Sequence, residues 1–402
     1  MRGAPEQGFP QISGKGEASV IKRLKPYIRQ FFQRADIFLL CICLICAVFG
    51  TVMIHKASSS MVAAGWEMDT NKQIIVQILS IFLGIGALVV LTIYDADLIA
   101  KNRVALLVII GLLLAALAVL GQDDGTGNKA WIRFAGIGIQ PSEIIKVIYI
   151  ILAAGQMTRL KEHNTINNVS SVAQMAGLFL VIFGGVVVVS SDLGSASIIL
   201  CIFLTMFFAL GVKLYWFALG GAGIAAVVPL LWNHFLKPYQ KNRLLAPYDP
   251  SIDPKNDGIN WQTYQSKVTL ASGRVTGVDS EHRLTAFTGK HTDFIFSCIG
   301  EELGMIGCLI VVALLVIIII HCARVGLKSG RTFDMLLCIG VASAVAFQTF
   351  INIGMCIGIT PVIGITLPFF SYGGSSMMTM LAAMGLVSGV KYKQKPRLFS
   401  MM

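Results

Sequence analysis

Four short polar clusters interrupt the long apolar stretches of this sequence, and they hold the residues best placed to do chemistry there. The first is Gln140-Pro141-Ser142-Glu143-Ile144-Ile145-Lys146. Pro141 suits the first turn of a helix. Glu143 and Lys146, three apart, share a helix face and can pair. Such a pair is either self-neutralising or one wall of a polar cavity between helices. The second cluster, Ser190-Ser191-Asp192-Leu193-Gly194-Ser195, reads as a tight turn. In it Asp192 either caps the following helix or faces the same cavity. The third, Lys290-His291-Thr292-Asp293, runs into Phe294-Ile295-Phe296 and then Glu301-Glu302-Leu303-Gly304. A carboxylate at a membrane boundary, beside His and Thr, can be desolvated enough to act as a base near neutral pH. Asp293 is that candidate. Glu301 and Glu302 are adjacent, point to different helix faces and so do not form a paired-carboxylate site. The fourth cluster runs from Gly364 to Ser376 and has Pro and Gly too dense for a helix. It should be an outer or re-entrant segment packed against protein, because bare backbone is not tolerated in lipid. Its glycine spacing is not that of a P-loop.

The elements that position these clusters follow from composition. The chain has 402 residues, 55% hydrophobic and 13% charged, with a mean hydropathy of +0.74. Soluble globular chains carry about 25% charged residues. The apolar residues form unbroken blocks, such as Val104 to Leu120, and runs of about 18–20 such residues read as membrane-spanning helices. A soluble enzyme, a disordered protein and a secreted disulfide scaffold are excluded. An ionisable residue inside a span costs about 3 kcal/mol and is therefore a functional-site candidate. Eight of the nine cysteines sit inside apolar runs and the ninth, Cys298, starts one; they read as small hydrophobes, the Cys43/Cys46 pair included.

The expected fold is an all-α polytopic membrane protein. Its ten transmembrane helices fall near 37–54, 74–93, 104–120, 142–157, 172–189, 195–211, 214–232, 299–320, 333–357 and 376–391. A basic leader (1–36) precedes the ten-helix domain (37–391), and a tail (392–402) follows. A large extracellular loop, about 233–298, joins helices seven and eight. The terminal side carries 19 Lys and Arg, against 4 on the other once that long loop is set aside. The positive-inside rule exempts long loops and so places both termini in the cytoplasm. The leader has no cleavable signal; its Lys22-Arg23-Leu24-Lys25 can touch anionic membrane lipid. The net charge of +11 is read as orientation signal, not as a nucleic-acid footprint.

Taken in this order on a ten-span chain, the clusters resemble the SEDS family (shape, elongation, division and sporulation proteins) over nearly the whole length. The motifs are Gln-Pro-Ser-Glu-x-x-Lys at Gln140, Asp-Leu-Gly at Asp192 and Tyr239-Gln240-x-x-Arg243. His-Thr-Asp-Phe-Ile-Phe at His291, Glu-Glu-Leu-Gly at Glu301 and Leu-Pro-Phe-x-Ser-Tyr-Gly-Gly-Ser-Ser at Leu367 complete the set. Gln265-Ser266-Lys267 and Asn352-Ile353-Gly354-Met355 look more like the elongation member RodA than the division member FtsW or the sporulation member SpoVE.

The resemblance implies a peptidoglycan glycosyltransferase in the plasma membrane of a bacterium. It would polymerise lipid II at the outer face, with a transpeptidase of the class B penicillin-binding type as partner. The family's essential aspartate falls on Asp293. Two stretches depart from the family. Gly277-Val278-Asp279 replaces Gly-Lys-Gly, and Phe287-Thr288-Gly289-Lys290 stands where Leu-Pro-Glu precedes His-Thr-Asp.

For this chemistry Asp293 would take the proton of the acceptor sugar hydroxyl, and cations would cradle the leaving pyrophosphate. Outer-side candidates are Lys129, Arg133, Lys237, Lys241, Arg243, Lys267 and Lys290. Gln140, Ser142, Glu143, Lys146, Asp192, Tyr239, Gln240, Gln265, Ser266, His291, Thr292, Ser371 and Tyr372 are the further substrate-binding candidates. No cofactor is required. A divalent cation (Mg or Mn) could share the pyrophosphate charge, but no dedicated oxygen cage is visible. The rival readings are a lipid II flippase and a non-catalytic scaffold. The clustering of intramembrane charges toward the outer half favours outer-face chemistry.

Overall fold

The computed structural model describes residues 26, 29–122, 129–134, 137–234, 238–278 and 287–394. Most of the basic leader (with Lys22–Lys25), most of the tail, Lys237 and Asp279 lie outside these residues. The chain is mostly helical. In order come α1 (Ile37–Ala63), α2 (Thr70–Ile93), α3 (Ala96–Lys101) and α4 (Arg103–Leu120). A short hairpin, β1 (Ile132–Phe134) and β2 (Ile137–Ile139), precedes α5 (Pro141–Glu162), α6 (Val169–Ser190), α7 (Leu193–Ala209) and α8 (Leu214–His234). The long loop holds α9 (Pro238–Leu245) and α10 (Trp261–Ser272). Then follow α11 (Ile295–Lys328), α12 (Thr332–Ile357) and α13 (Gly374–Gln394).

Every one of the ten expected spans falls on a helix. Seven of them, α1, α2, α4, α6, α8, α11 and α12, are long and apolar enough to cross a membrane. The bundle is apolar outside as well as inside: Val188 and Val119 are each 81% exposed, as a protein solvated by hydrocarbon requires. The polar side chains are turned inward instead, with Glu143, Lys146, Lys290, Glu301 and Asn352 all buried. The antiparallel hairpin sets Arg133 opposite Gly138; its three-residue strands are too short to register as period-two patterns.

α11 is broken at Gly304, whose backbone (φ 65°, ψ −161°) is not helical. The break frees two N–H groups. Met305 N–H donates to the Arg274 carbonyl at 2.9 Å, and Ile306 N–H to Val275 at 3.3 Å. Val278 N–H in turn donates to the Glu301 carbonyl at 2.9 Å. A Cβ at Gly304 would lie 2.4 Å from the Val275 backbone, so only glycine fits. The end of the outer loop is thereby stitched into α11. α12 packs between α11, α5 and α7, and α2 lies along α13.

The opposite end of the bundle carries an ionic cluster that the charge reading passed over. Buried Asp36, at the N-terminus of α1, meets His321 Nε2 at 2.6 Å and Lys391 Nζ at 2.8 Å. Arg331 bridges to Asp97 at 2.8 Å, and Lys393 pairs with Asp95. Between Asp36 and Ser58 the buried side chains of α1 are apolar. Those of α11 between Glu301 and Cys322 are likewise apolar or glycine.

Candidate functional site

The segment between α12 and α13 is the hub of the end of the bundle that carries the long loop. α12 stops at Gly358, which is left-handed (φ 77°), and its last carbonyls would be orphans. The chain's own Ile359 N–H caps Gly354 O at 2.8 Å, and the long loop adds Ser266 Oγ–H to Cys356 O at 2.9 Å and, just past the helix, Tyr248 Oη–H to Ile359 O at 2.8 Å. The chain then runs irregularly but buried. Ser371 Oγ accepts from Leu367 N–H at 2.7 Å, and the Thr366 and Ser376 hydroxyls are 2.9 Å apart. Gln77 of α2 donates to Ser371 O and accepts from Gly373 N–H, each at 3.4 Å. This is the packed, non-helical segment expected from its Pro and Gly content.

Asp293 ends the turn that precedes α11. The buried rings of Phe287 and Phe294, 5.6 Å apart, form the dry floor of that turn. The N-cap position of α11 belongs to Phe294, so Asp293 stands one residue ahead of it. The Asp293 carboxylate faces the hub: a Cβ at Gly364 would lie 3.8 Å from its Oδ2. Thr292 Oγ1–H donates to Gly289 O at 3.3 Å. His291 joins the turn to the hub, its carbonyl accepting from Tyr372 N–H at 3.0 Å and its ring lying 5.7 Å from the Tyr372 ring. Burial pushes the His291 imidazole down to about 4, so it is neutral near pH 7. Its buried Nδ1 has no partner among the described residues. Burial also raises the Tyr372 phenol above its ordinary value.

The remaining two clusters meet the same segment. Glu143 Oε1 and Lys146 Nζ are 2.8 Å apart at 4% and 1% exposure, one turn into α5. Asp192 satisfies both sequence readings at once. Its Oδ1 caps α7 through Ser195 N–H at 2.9 Å. Its Oδ2 accepts from Gln140 Nε2 at 2.9 Å and Ser142 Oγ at 3.0 Å. Gln140 N–H donates to Ser375 Oγ at 3.2 Å, and a Cβ at Gly194 would lie 2.6 Å from Ile363 O. All four polar clusters therefore converge on residues 363–376.

The candidate cations do not converge in the same way. Lys129 and Arg133 are exposed at the hairpin, with Lys129 N–H donating to Ser190 O at 3.1 Å. Gln240 and Arg243 are half-buried on α9, where Tyr239 also sits; the Tyr239 side chain lies outside the described residues. Lys241 Nζ is 6.0 Å from the centre of the Trp232 ring. Gln265 is half-buried on α10, and Lys267 is exposed there, with Nζ 2.8 Å from where a Cβ on Gly358 would stand. Lys290 is not available as a phosphate ligand. It is 0% exposed, with Nζ 2.6 Å from Glu301 Oε2, itself 1% exposed. Its charge is spent inside the protein, because a lysine folded under this turn needs a carboxylate beside it. Glu302 points elsewhere, to Lys56 at 2.6 Å, as its different helix face requires. Among the described residues no three His, Cys, Asp or Glu side chains are grouped to hold a metal.

One residue of this region escaped the sequence reading except as a subfamily marker. Asn352, on the penultimate turn of α12, donates from Nδ2 to both Asp293 O and Ile365 O, each at 2.7 Å. An amide inside an apolar span was the signal that could have found it.

The fold and this outer polar site define a class of multi-pass membrane proteins. Residues 36–396 match the profile of the cell cycle protein family of FtsW, RodA and SpoVE, and the chain belongs to that family. A probable peptidoglycan glycosyltransferase FtsW from Trichlorobacter lovleyi is 30% identical over 370 residues, covering 90% of this chain and 95% of that protein. A solved chain from a peptidoglycan synthase complex, described as coordinating polymerization and crosslinking, is 27% identical with a TM-score of 0.74. The match covers 90% of this chain and 98% of that one. The rod shape determining protein RodA of Thermus thermophilus shares the fold, with a TM-score of 0.65 at 23% identity over 90% of this chain and 98% of that one.

Proposed function

We propose that this protein is a peptidoglycan glycosyltransferase that polymerises lipid II at the outer face of the bacterial plasma membrane. The observation that carries the reading is the placement of Asp293, at a dry turn, with its carboxylate against the hub on which two further polar clusters converge. The names of its relatives point to the same activity. In the reaction the Asp293 carboxylate takes the proton of the acceptor sugar 4-hydroxyl. The oxygen attacks the anomeric carbon of the donor, and undecaprenyl pyrophosphate leaves from the opposite face, inverting that centre. The exposed bases Lys129, Arg133 and Lys267, with Arg243, are the candidates to meet the pyrophosphate charge. His291, neutral, contributes a hydrogen-bonding edge and no charge. A class B penicillin-binding transpeptidase is the proposed partner, in keeping with the synthase complex among the solved relatives. The role in the cell is elongation or division; the curated relative is an FtsW, while the Gln265-Ser266-Lys267 and Asn352–Met355 motifs lean toward RodA.

In this reading α5, α7 and α13 cross the membrane with the seven more apolar helices, and residues 37–391 form one ten-span domain. The leader (1–36) and tail (392–402) are cytoplasmic, and the loop 233–298 is outside. Cysteine labelling at position 255 tests this, since labelling only after lysis would overturn it. Between the charged groups of the two ends the buried side chains of α1 and α11 are apolar and the polar ones of α2, α12 and α13, such as Gln77, Gln348 and Thr379, are uncharged, which weighs against a flippase's charged path.

The decisive experiment is lipid II polymerisation by purified wild type and Asp293→Asn. Asn keeps the size and the hydrogen-bond acceptor but cannot take a proton. The expected result is folded protein with about 10²–10⁴-fold less activity. Wild-type polymerisation by the variant would remove Asp293 as the base.

A further inference from the structure

We propose that Asn352 is a positioning residue for the reaction: one buried amide fixes both the backbone that carries Asp293 and the backbone that walls its carboxylate. The inference rests on the polymerase reading above. Asn352 is 0% exposed and has two amide hydrogens to give. Both are used at 2.7 Å, one on the carbonyl of Asp293 and one on the carbonyl of Ile365. These acceptors lie on separate segments, the turn before α11 and the hub after α12. Reversing the amide would set Oδ1 against two carbonyl oxygens, so the chemistry fixes its orientation. Gly364, the residue before Ile365, is the one whose Cβ position lies 3.8 Å from Asp293 Oδ2. The distance between carboxylate and wall is therefore set by this side chain together with the backbone bond from Tyr372 N–H to His291 O. Cys356, one turn further on, places only a weak thiol donor, 3.9 Å from the same Asp293 carbonyl, and cannot replace the amide. The Asn352 Oδ1 has no partner among the described residues. An Asp there would keep the shape, lose the donor pair and set a buried carboxylate oxygen against both carbonyls, at a cost in stability as well as in position.

That asymmetry supplies the test. Wild type, Asn352→Asp and Asn352→Ser are purified as full-length chains and assayed with lipid II at several concentrations across a pH series. A displacement of the base by about 1 Å costs roughly 10²-fold in rate. Asn352→Asp is expected to lose about that much kcat with KM changed by less than about twofold. The acid limb of its pH–rate profile should move; its unfolding midpoint in detergent should fall, because a carboxylate is buried there, so kcat is compared per folded protein. Asn352→Ser keeps one donor and is expected to fall between the two. It also carries the test if the Asp variant does not fold. Wild-type kcat in either folded variant overturns the inference. So does a rate loss that tracks unfolding while KM and the pH profile of the remaining folded fraction stay as in wild type, since that is a purely structural residue. A wild-type chain that fails to polymerise lipid II overturns instead the reading on which the inference rests.

Discussion

Replacing Lys290 by Met keeps the length of the side chain and removes the ammonium from beside the Glu301 carboxylate, at a site 1% exposed to solvent. The 2.6 Å contact between the two is a charge-assisted hydrogen bond that no water can replace without opening the turn. Removing one partner of such a buried pair costs about 3–5 kcal/mol, against about 0–1 kcal/mol for an exposed pair. The expected loss is a factor of roughly 10²–10⁴ in the unfolding equilibrium. Replacing both groups, as Lys290→Met with Glu301→Leu, removes the buried carboxylate together with its lysine and should recover part of that loss. Lys56→Met is the internal control. Lys56 also pairs at 2.6 Å, with Glu302, but its side chain is 39% exposed, so its loss should be smaller. The assay is unfolding in mixed detergent micelles, titrated to obtain free energies for all four proteins. A Lys290→Met protein within about 0.5 kcal/mol of wild type, or a double variant no better than the single, would refute the claim that this pair is desolvated. Because the turn also carries Asp293, polymerisation should fall with stability in the single variant and return in the double.

Two other expectations follow from the same geometry. Glu143→Gln and Lys146→Met should each destabilise by about 3–5 kcal/mol, since either leaves its partner charged and buried, and each should reduce polymerisation strongly. The double variant should regain stability but not activity; recovery of both would show that the pair only holds the fold. His291 gives a pH effect. Its imidazole titrates near 6.5 when unfolded and at about 4 when folded, so between these values the unfolded chain takes up a proton that the folded one does not. Stability should fall as pH drops through that window, by about 2 kcal/mol at pH 5 relative to pH 7. A wild-type curve with the same slope as His291→Gln there would reject this.

How much was legible beforehand depended on how local the cause was. A helix in hydrocarbon needs about 20 apolar residues, a requirement met residue by residue, so each expected span falls on a helix. The hub was legible for the same reason, because Pro and Gly act on their own backbone. Lys290 was misread as an outer cation because its partner is eleven residues on, and the pair exists only once the turn folds back onto α11. The break at Gly304 reads in sequence as one glycine in an apolar helix; it takes the inserted Arg274–Val278 segment to receive the freed N–H groups. For Asp192 the sequence offered a cap or a cavity wall as alternatives, yet a carboxylate has two oxygens and the structure uses one for each.

The inner-end cluster shows what kind of argument survives. Charges counted toward the outer half were a reason to favour outer-face chemistry, and Asp36, His321 and Asp334 weaken that count. Pairing and burial sort the groups better than position along the chain. Asp36, Glu143, Glu301 and Glu302 each face a lysine within 2.8 Å, which neutralises them. Asp192 is satisfied by amide and hydroxyl donors. The Asp293 carboxylate lies half-buried against the hub at Gly364, with its turn held by the Asn352 amide and the Tyr372 N–H. The basic residues divide the same way. Lys146 and Lys290 are enclosed with their carboxylates, while Lys129, Arg133 and Lys267 stay exposed. In the proposed reaction the second group, with Arg243, is the one placed to meet a leaving pyrophosphate without unfolding a turn. On that proposal the enclosed lysines hold this end of the bundle in shape, and the exposed bases are the candidates to receive the anionic substrate.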